Sequence, residues 1–372
     1  MSEITNQNIT MDPYEQNKLF LSYGNKDFDE FCRLIDAGAD VNCFNQSGES
    51  LIGVVIQDPH SIDDNVKFFD KLMSSNVILE QTNNNYDPLT IAIRKQHDLH
   101  YMLKILDKTK QFNQIKNRQL PDSQDPFGPP IFDAILTQDM SKINLLLEYD
   151  VDLKVCSWCE KPVLSYLLML FSSSTEYVEN LFPILLEKGA VVDESDTYGS
   201  KTIHYWARKI KSEKVFNLLV EHGADINCRN IYGNTPISTA CLENNSFAVS
   251  ILIKNNVNLN VQNSQGFTPL LAALSEFSWK AADVLFESNC NILLCDNEGN
   301  NAAHHLFKNL EYQYAGSKNI SEYMELFLKN PKLLSTKNNL GKTPLDILKI
   351  SNQEEYLKFE KLRKEKNQNE IG

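Results

Sequence analysis

The chain has 372 residues, 42% of them hydrophobic and 23% charged, with a net charge of −13 and a pI near 5.1. That length exceeds one ordinary core and points to several domains or one elongated repeat array. No apolar run approaches the roughly 20 residues that span a bilayer, and the acidic balance disfavours nucleic acid, whose affinity comes from clustered Lys and Arg.

Residues 1–12 are polar, with neither a basic start nor an apolar stretch, so they read as a disordered N-terminus without a signal peptide. A cytoplasmic location follows, with the nucleus as the alternative. The first ordered phrase is Leu34-Ile35-Asp36-Ala37-Gly38-Ala39-Asp40-Val41-Asn42, with Gly48 behind it. The unit over 49–80 is long, with an insert at Asp58-Pro59-His60, and Asp87-Pro88-Leu89-Thr90-Ile91-Ala92 opens another. Residues 107–124 are polar and read as an irregular connection between N-terminal repeats (13–106) and a main array (125–351). Within that array, Gly128-Pro129-Pro130-Ile131 leads to Leu145-Leu146-Leu147, and Lys161-Pro162-Val163-Leu164 leads to Leu185-Leu186-Glu187-Lys188-Gly189-Ala190.

From there the beat is regular. Leu218-Leu219-Val220-Glu221-His222-Gly223-Ala224-Asp225-Ile226-Asn227 is followed by looser copies at Ile251–Asn260 and Val284–Ile292. The turn residues Gly189, Gly223, Asn256 and Asn289 are 34, 33 and 33 apart, and Gly199, Gly233, Gly266 and Gly299 keep the same spacing. Asn234-Thr235-Pro236-Ile237, Phe267-Thr268-Pro269-Leu270 and Lys342-Thr343-Pro344-Leu345 repeat one phrase. Thr before Pro predicts a helix start, because the hydroxyl caps a free N–H and Pro at the first position lacks a donor that would be orphaned. Gly or Asn after the Leu pair suits a left-handed helix end. The Gly of Asp196-Thr197-Tyr198-Gly199 suits a tight hairpin turn. Residues 352–372, rich in Glu, Lys, Asn and Gln, predict a polar capping helix that frays into a tail.

These phrases, Gly-x-Thr-Pro-Leu and Leu-Leu-x-x-Gly-Ala-Asp-Ile-Asn, resemble the ankyrin repeat. The resemblance is strong over 185–350, clear again at Leu34–Asn42 and weaker between. It implies an all-α solenoid of roughly nine helix-turn-helix units with β-hairpin fingers. It also implies a non-catalytic interaction module: a scaffold, adaptor or inhibitor that binds a protein partner. The alternatives are a substrate-recruiting or regulatory subunit of an enzyme complex such as a ubiquitin ligase, and a host-directed bacterial effector.

No catalytic residue, cofactor or metal site is read from the chain. Cys156-Ser157-Trp158-Cys159 lacks the second ligand pair of a structural zinc site. The eight cysteines are scattered, so most read as buried thiols. His204 and His304 stand where the repeat resemblance implies a ring hydrogen-bonded to the adjacent hairpin's backbone, and His305, being adjacent on a helix, makes no ligand pair with His304. Asn42 and Asn227 match the spacing of hydroxylated asparagines in ankyrin repeats, against the simpler reading of structural turn residues.

Binding falls to positions that the stacking pattern leaves free. The fingertip candidates are Phe127, Tyr198, Tyr232 and Phe267, with Arg229, Gln265 and Glu298 beside them. On the concave side of the first helices stand Arg208, Lys209, Leu242, Glu243, Ser275 and Glu276. Exposed aromatic anchors of this kind dominate interface energies.

Overall fold

The computed structural model describes residues 13–58, 62–79, 87–95, 99–109, 129–149, 151–154, 157, 160–309 and 320–369. The chain divides into two compact units, residues 1–159 and 160–372.

In the first unit, α1 (Pro13–Gly24) packs on α2 (Phe28–Asp36), α3 (Leu51–Gln57) on α4 (Ile62–Met73), α5 (Pro88–Arg94) on α6 (Leu99–Thr109) and α7 (Pro130–Thr137) on α8 (Met140–Glu148). First helices α3, α5 and α7 touch in series, as do second helices α2, α4, α6 and α8. Fully buried Phe68 is the aromatic centre at one end, with the rings of Tyr23, Phe28 and Phe31 edge-on to it at 5.1, 5.2 and 4.9 Å. Of the expected irregular connection, residues 107–109 close α6, where Lys108 Nζ donates to the carbonyls of Met73 and Ser75; the rest lies outside the described residues.

The second unit repeats the plan. The pairs are α9 (Val163–Leu170) with α10 (Thr175–Glu187), α11 (Thr202–Lys209) with α12 (Glu213–Glu221), α13 (Pro236–Leu242) with α14 (Ser246–Lys254) and α15 (Pro269–Ser275) with α16 (Trp279–Phe286). Beyond them, α17 (Ala302–Lys308) is followed by α18 (Ile320–Leu328) and the short α19 (Pro331–Ser335), and α20 (Pro344–Ser351) packs on α21 (Gln353–Asn369). First helices α9, α11, α13, α15, α17 and α20 form one continuous layer. The terminal helix is less polar in its role than in its composition: Phe359 is fully buried, edge-on to Phe307 at 5.7 Å.

The helix starts follow the sequence. Thr235, Thr268 and Thr343 cap the backbone N–H groups of Ser238, Leu271 and Asp346 ahead of proline. The helix ends follow it with one exception. Gly189 and Gly223 are left-handed at φ 97° and 87°, and Asn256 at 57°, whereas α16 stops at Phe286 and Asn289 takes no positive φ.

The expected β-hairpin fingers are corrected: the described residues contain no β-strand, only isolated bridges at Phe44–Ser50 and Ser195–Lys201. The physical reason is a side chain that takes the hydrogen bonds a second strand would supply. Asp196 Oδ1 accepts from the N–H groups of Tyr198 and Ser200 at 2.9 and 2.8 Å, closing the finger as an Asx turn. Asn45, Asn230, Asn263, Asp296 and Asn338 do the same in their fingers.

Neighbouring units are tied at both ends of the first helix. At the fingers, the N–H groups of Ile231, Ser264, Asn297 and Asn339 donate to the carbonyls of Tyr198, Tyr232, Gln265 and Glu298, each from one finger to the one before. At the helix C-terminus, the orphaned carbonyls of Ala207, Leu274 and Phe307 accept from Asn245 Nδ2, Asn309 Nδ2 and Ser351 Oγ of the following unit. In the first unit the buried Lys142 Nζ plays this part on the Ile93 carbonyl at 2.6 Å, and burial holds that ammonium below its ordinary pKa. A third tie uses Asn42, Asn227 and Asn260, whose Oδ1 atoms accept from the N–H groups of Ile78, Asn258 and Asn291. Asn42 and Asn227 therefore hold the turn of the next unit.

Close finger contact explains one class of glycine. Gly266 sits at φ 80°, and a Cβ there would lie 2.6 Å from the Asn297 nitrogen; Gly223, at φ 87°, faces open space. Gly266→Ala is expected to lower unfolding stability by about 2 kcal/mol or more, from strain plus collision. Gly223→Ala should cost less, from strain alone. Denaturant titration of the two variants checks the order; equal losses would show that finger contact contributes nothing.

Candidate functional site

The fingers and the C-terminal turns of the first helices enclose a row of grooves in the second unit. One, of about 380 Å³, lies over α11 and α13 and is lined by Tyr198, Tyr232, Arg208, Leu242 and Glu243 among others. Tyr198 and Tyr232 are half-exposed and stack with ring centres 6.3 Å apart and planes 20° from parallel. Arg208 Nε and Nη2 both donate to Glu243 Oε1, at 2.9 and 2.6 Å, joining neighbouring first helices across the groove floor.

A second groove, of about 480 Å³, lies one unit on and holds Gln265, Phe267, Ser275, Glu276 and Glu298 with His305 and Lys308. Lys209 belongs to a third, again about 480 Å³, with Arg208, Lys211 and Glu243. Eleven of the candidate residues are thus brought onto groove walls. Arg229 is exposed but lines none of these grooves, and Phe127 lies outside the described residues.

Phe267 is not a fingertip. Counted from the turn-closing residue, the tip position is Tyr198, Tyr232, Gln265, Glu298 and Leu340, two places after Asp196, Asn230, Asn263, Asp296 and Asn338. Phe267 lies two places further on, half-buried, its ring edge-on to His305 at 5.3 Å. Leu340 is the tip that sequence reasoning missed. It is 80% exposed and forms, with Ile347 and the 71%-exposed Ile350, an apolar groove of about 270 Å³. The signal was available in the Asn338-Asn339-Leu340-Gly341 phrase, which keeps the spacing of Asp196-Thr197-Tyr198-Gly199.

His204 and His304 tie their helices to the following finger. His204 Nδ1 accepts from the Lys201 N–H while Nε2 donates to the Asn234 carbonyl, both at 3.1 Å, and His304 repeats this with Asn301 and Lys342. Burial lowers the pKa of both rings. Cys228 Sγ stands 3.8 Å from His204 Nδ1, a pairing that resembles a nucleophile with its base. Burial, with Asp225 nearby, pushes that thiol up to about 12, so it stays protonated and is no nucleophile at neutral pH. Among the described residues no group of three His, Cys, Asp or Glu side chains could hold a metal ion, and no helix is long and apolar enough to cross a membrane. Cys156 and Cys159 lie outside those residues.

His305 Nε2 donates to Asp296 Oδ2 at 2.8 Å, where the equivalent Tyr205 donates to Asp196 Oδ2. Where the finger closes with Asn230 or Asn263, the matching helix position is Thr239 or Ala272. An acid in the finger is thus matched by a donor on the helix.

Residues 203–296 match the family model for ankyrin repeats (3 copies). This stretch carries ankyrin repeats. The matched stretch runs from the start of α11 to the finger that follows α16, the part of the array where the grooves with Tyr232 and Phe267 lie. Among solved structures, the ankyrin repeat domain of Bcl-3, a unique member of the IkappaB protein family, aligns with 62% of this chain and 95% of its own, at 17% identity and a TM-score of 0.47. No curated protein matches the chain.

Burial raises the pKa of Asp296, but the hydrogen bonds from His305 and Asn300 outweigh it and hold the carboxyl below its ordinary range. A depressed folded-state pKa gives stability that is present above the unfolded value and lost as pH falls through the folded one. Asp296→Asn should therefore be less stable than the parent at pH 7, with the gap narrowing towards pH 3. Unfolding titrations at the two pH values check this; a constant gap would contradict it.

Proposed function

We propose that the ankyrin array of the second unit is a non-catalytic module that binds another protein across the grooves between its fingers and first helices. The observation that carries this reading is the stacked, half-exposed Tyr198–Tyr232 pair above the Arg208–Glu243 bridge. Rings with two rotatable bonds offer a large contact area at low entropic cost, and they sit where the ankyrin scaffold has no need of them. The polar ties that hold the fingers use backbone atoms of Tyr198 and Tyr232, so their side chains are free to serve a partner. No cofactor enters this reading.

Tyr198→Ser with Tyr232→Ser should abolish capture of a co-purifying protein while shifting the melting temperature by no more than about 2 °C. Phe267→Ser, by contrast, should lower the melting temperature, because that ring packs on His305. Affinity purification with mass spectrometry, run beside thermal melts, checks both. Retained capture by a folded double variant would overturn the site; a double variant that melts like Phe267→Ser would make the tyrosines structural.

A further inference from the structure

The chain is acidic overall, with 49 Asp and Glu against 36 Lys and Arg. Against that background, the end of α11 and the residues after it place Arg208, Lys209 and Lys211 within four positions, all exposed. They line one groove together, and the acid that faces them there is Glu243, already engaged by Arg208. Neither Lys209 nor Lys211 makes an ion pair among the described residues. Ser172, Ser173 and Thr175 line the same groove.

A helix C-terminus favours cations through its dipole, and this is the simplest explanation for such a cluster. Elsewhere in the second unit the first helices α17 and α20 carry a single lysine there, Lys308 and Lys349, and α13 and α15 carry none. The position of Lys209, eighth from the start of its first helix, is Glu243 after α13 and Glu276 after α15. Lys211 lies past the last turn of α11, where the dipole has decayed. Three cations within four positions therefore exceed what the other first-helix ends of the second unit carry.

The tyrosine groove and the cationic groove share Arg208 and Glu243, so they adjoin at that bridge, one aromatic on the finger side and the other positive on the helix-turn side. We infer that the partner of these two adjoining grooves is an acidic protein segment: an extended stretch whose Asp or Glu side chains lie on Lys209 and Lys211 while an aromatic or branched apolar side chain packs on Tyr198 and Tyr232. Charge complementarity selects it, because local positive charge on a net-negative molecule both attracts an acidic segment and leaves basic segments to the acidic remainder of the surface. This rests on the protein-binding reading above and adds the chemistry of the partner.

The test is selection of displayed random twelve-residue peptides on the full chain, followed by affinity measurement of the retained peptides. They are expected to be enriched in Asp and Glu close to an aromatic or Leu residue. Their binding should weaken with added salt and fall by about tenfold or more in Lys209→Glu/Lys211→Glu, whose exposed positions leave folding intact. Retained peptides that lose binding in Tyr198→Ser/Tyr232→Ser but carry neutral or basic residues would overturn the inference while leaving the protein-binding reading in place. Unchanged affinity in the double Lys variant, or no peptide retained at all, would also overturn it.

Discussion

Helices of seven to nine residues have little stability of their own, since nucleating a turn costs more than so few hydrogen bonds return. Each pair in the second unit also ends with free carbonyls and a finger too short for a ladder. For α11, α15 and α17 the neighbouring unit resolves both problems. It sends Asn245, Asn309 or Ser351 to the helix end and a backbone N–H to the finger, while the apolar faces of the first helices close on one another. Each such bond contributes on the order of 1 kcal/mol net, but leaving its buried partner unmatched costs more. A unit without a neighbour is therefore penalised twice, through exposed apolar surface and through orphaned polar groups.

The same economy shapes the binding surface. Because Asp196 or Asn230 closes the finger with its side chain, and the finger-to-finger tie uses backbone atoms, the tip residue is under no structural demand. That freedom is visible in its variety: Tyr198, Tyr232, Gln265, Glu298 and Leu340 occupy one position of five consecutive fingers. The position opposite, on the first helices, is equally varied, as Arg208, Leu242, Ser275, Lys308 and Ile350. Paired in order, these ten residues give the array a different chemistry in each register over a uniform scaffold.

Much of this was legible beforehand. The glycine and Thr-Pro spacing located the first helices and their caps, and the placement of His204 and His304 against the next finger followed from the repeat resemblance. The strand expectation fails because the glycine of Asp-x-x-Gly suits a hairpin, whereas its acid replaces one. The nearness of Phe267 to Gly266 suggests a tip, although counting from Asn263 places it two residues late. Leu340 shares the tip position without being aromatic. The helix-end ties were invisible for a different reason. Lys142, Asn245, Asn309 and Ser351 differ in chemistry and reach their carbonyls over 49, 38, 35 and 44 residues, so no period betrays them.

The claim at the centre of this account is that each unit is held by its neighbour, down to the exposed fingertips. Native-state hydrogen exchange at the amides of Ile231, Ser264, Asn297 and Asn339 measures it directly, because these residues are solvent-exposed yet donate to the preceding finger. Slow exchange, with all four amides opening together, is the expected result. Exchange at the rate of an unstructured loop would show fingers that move independently, and would contradict it.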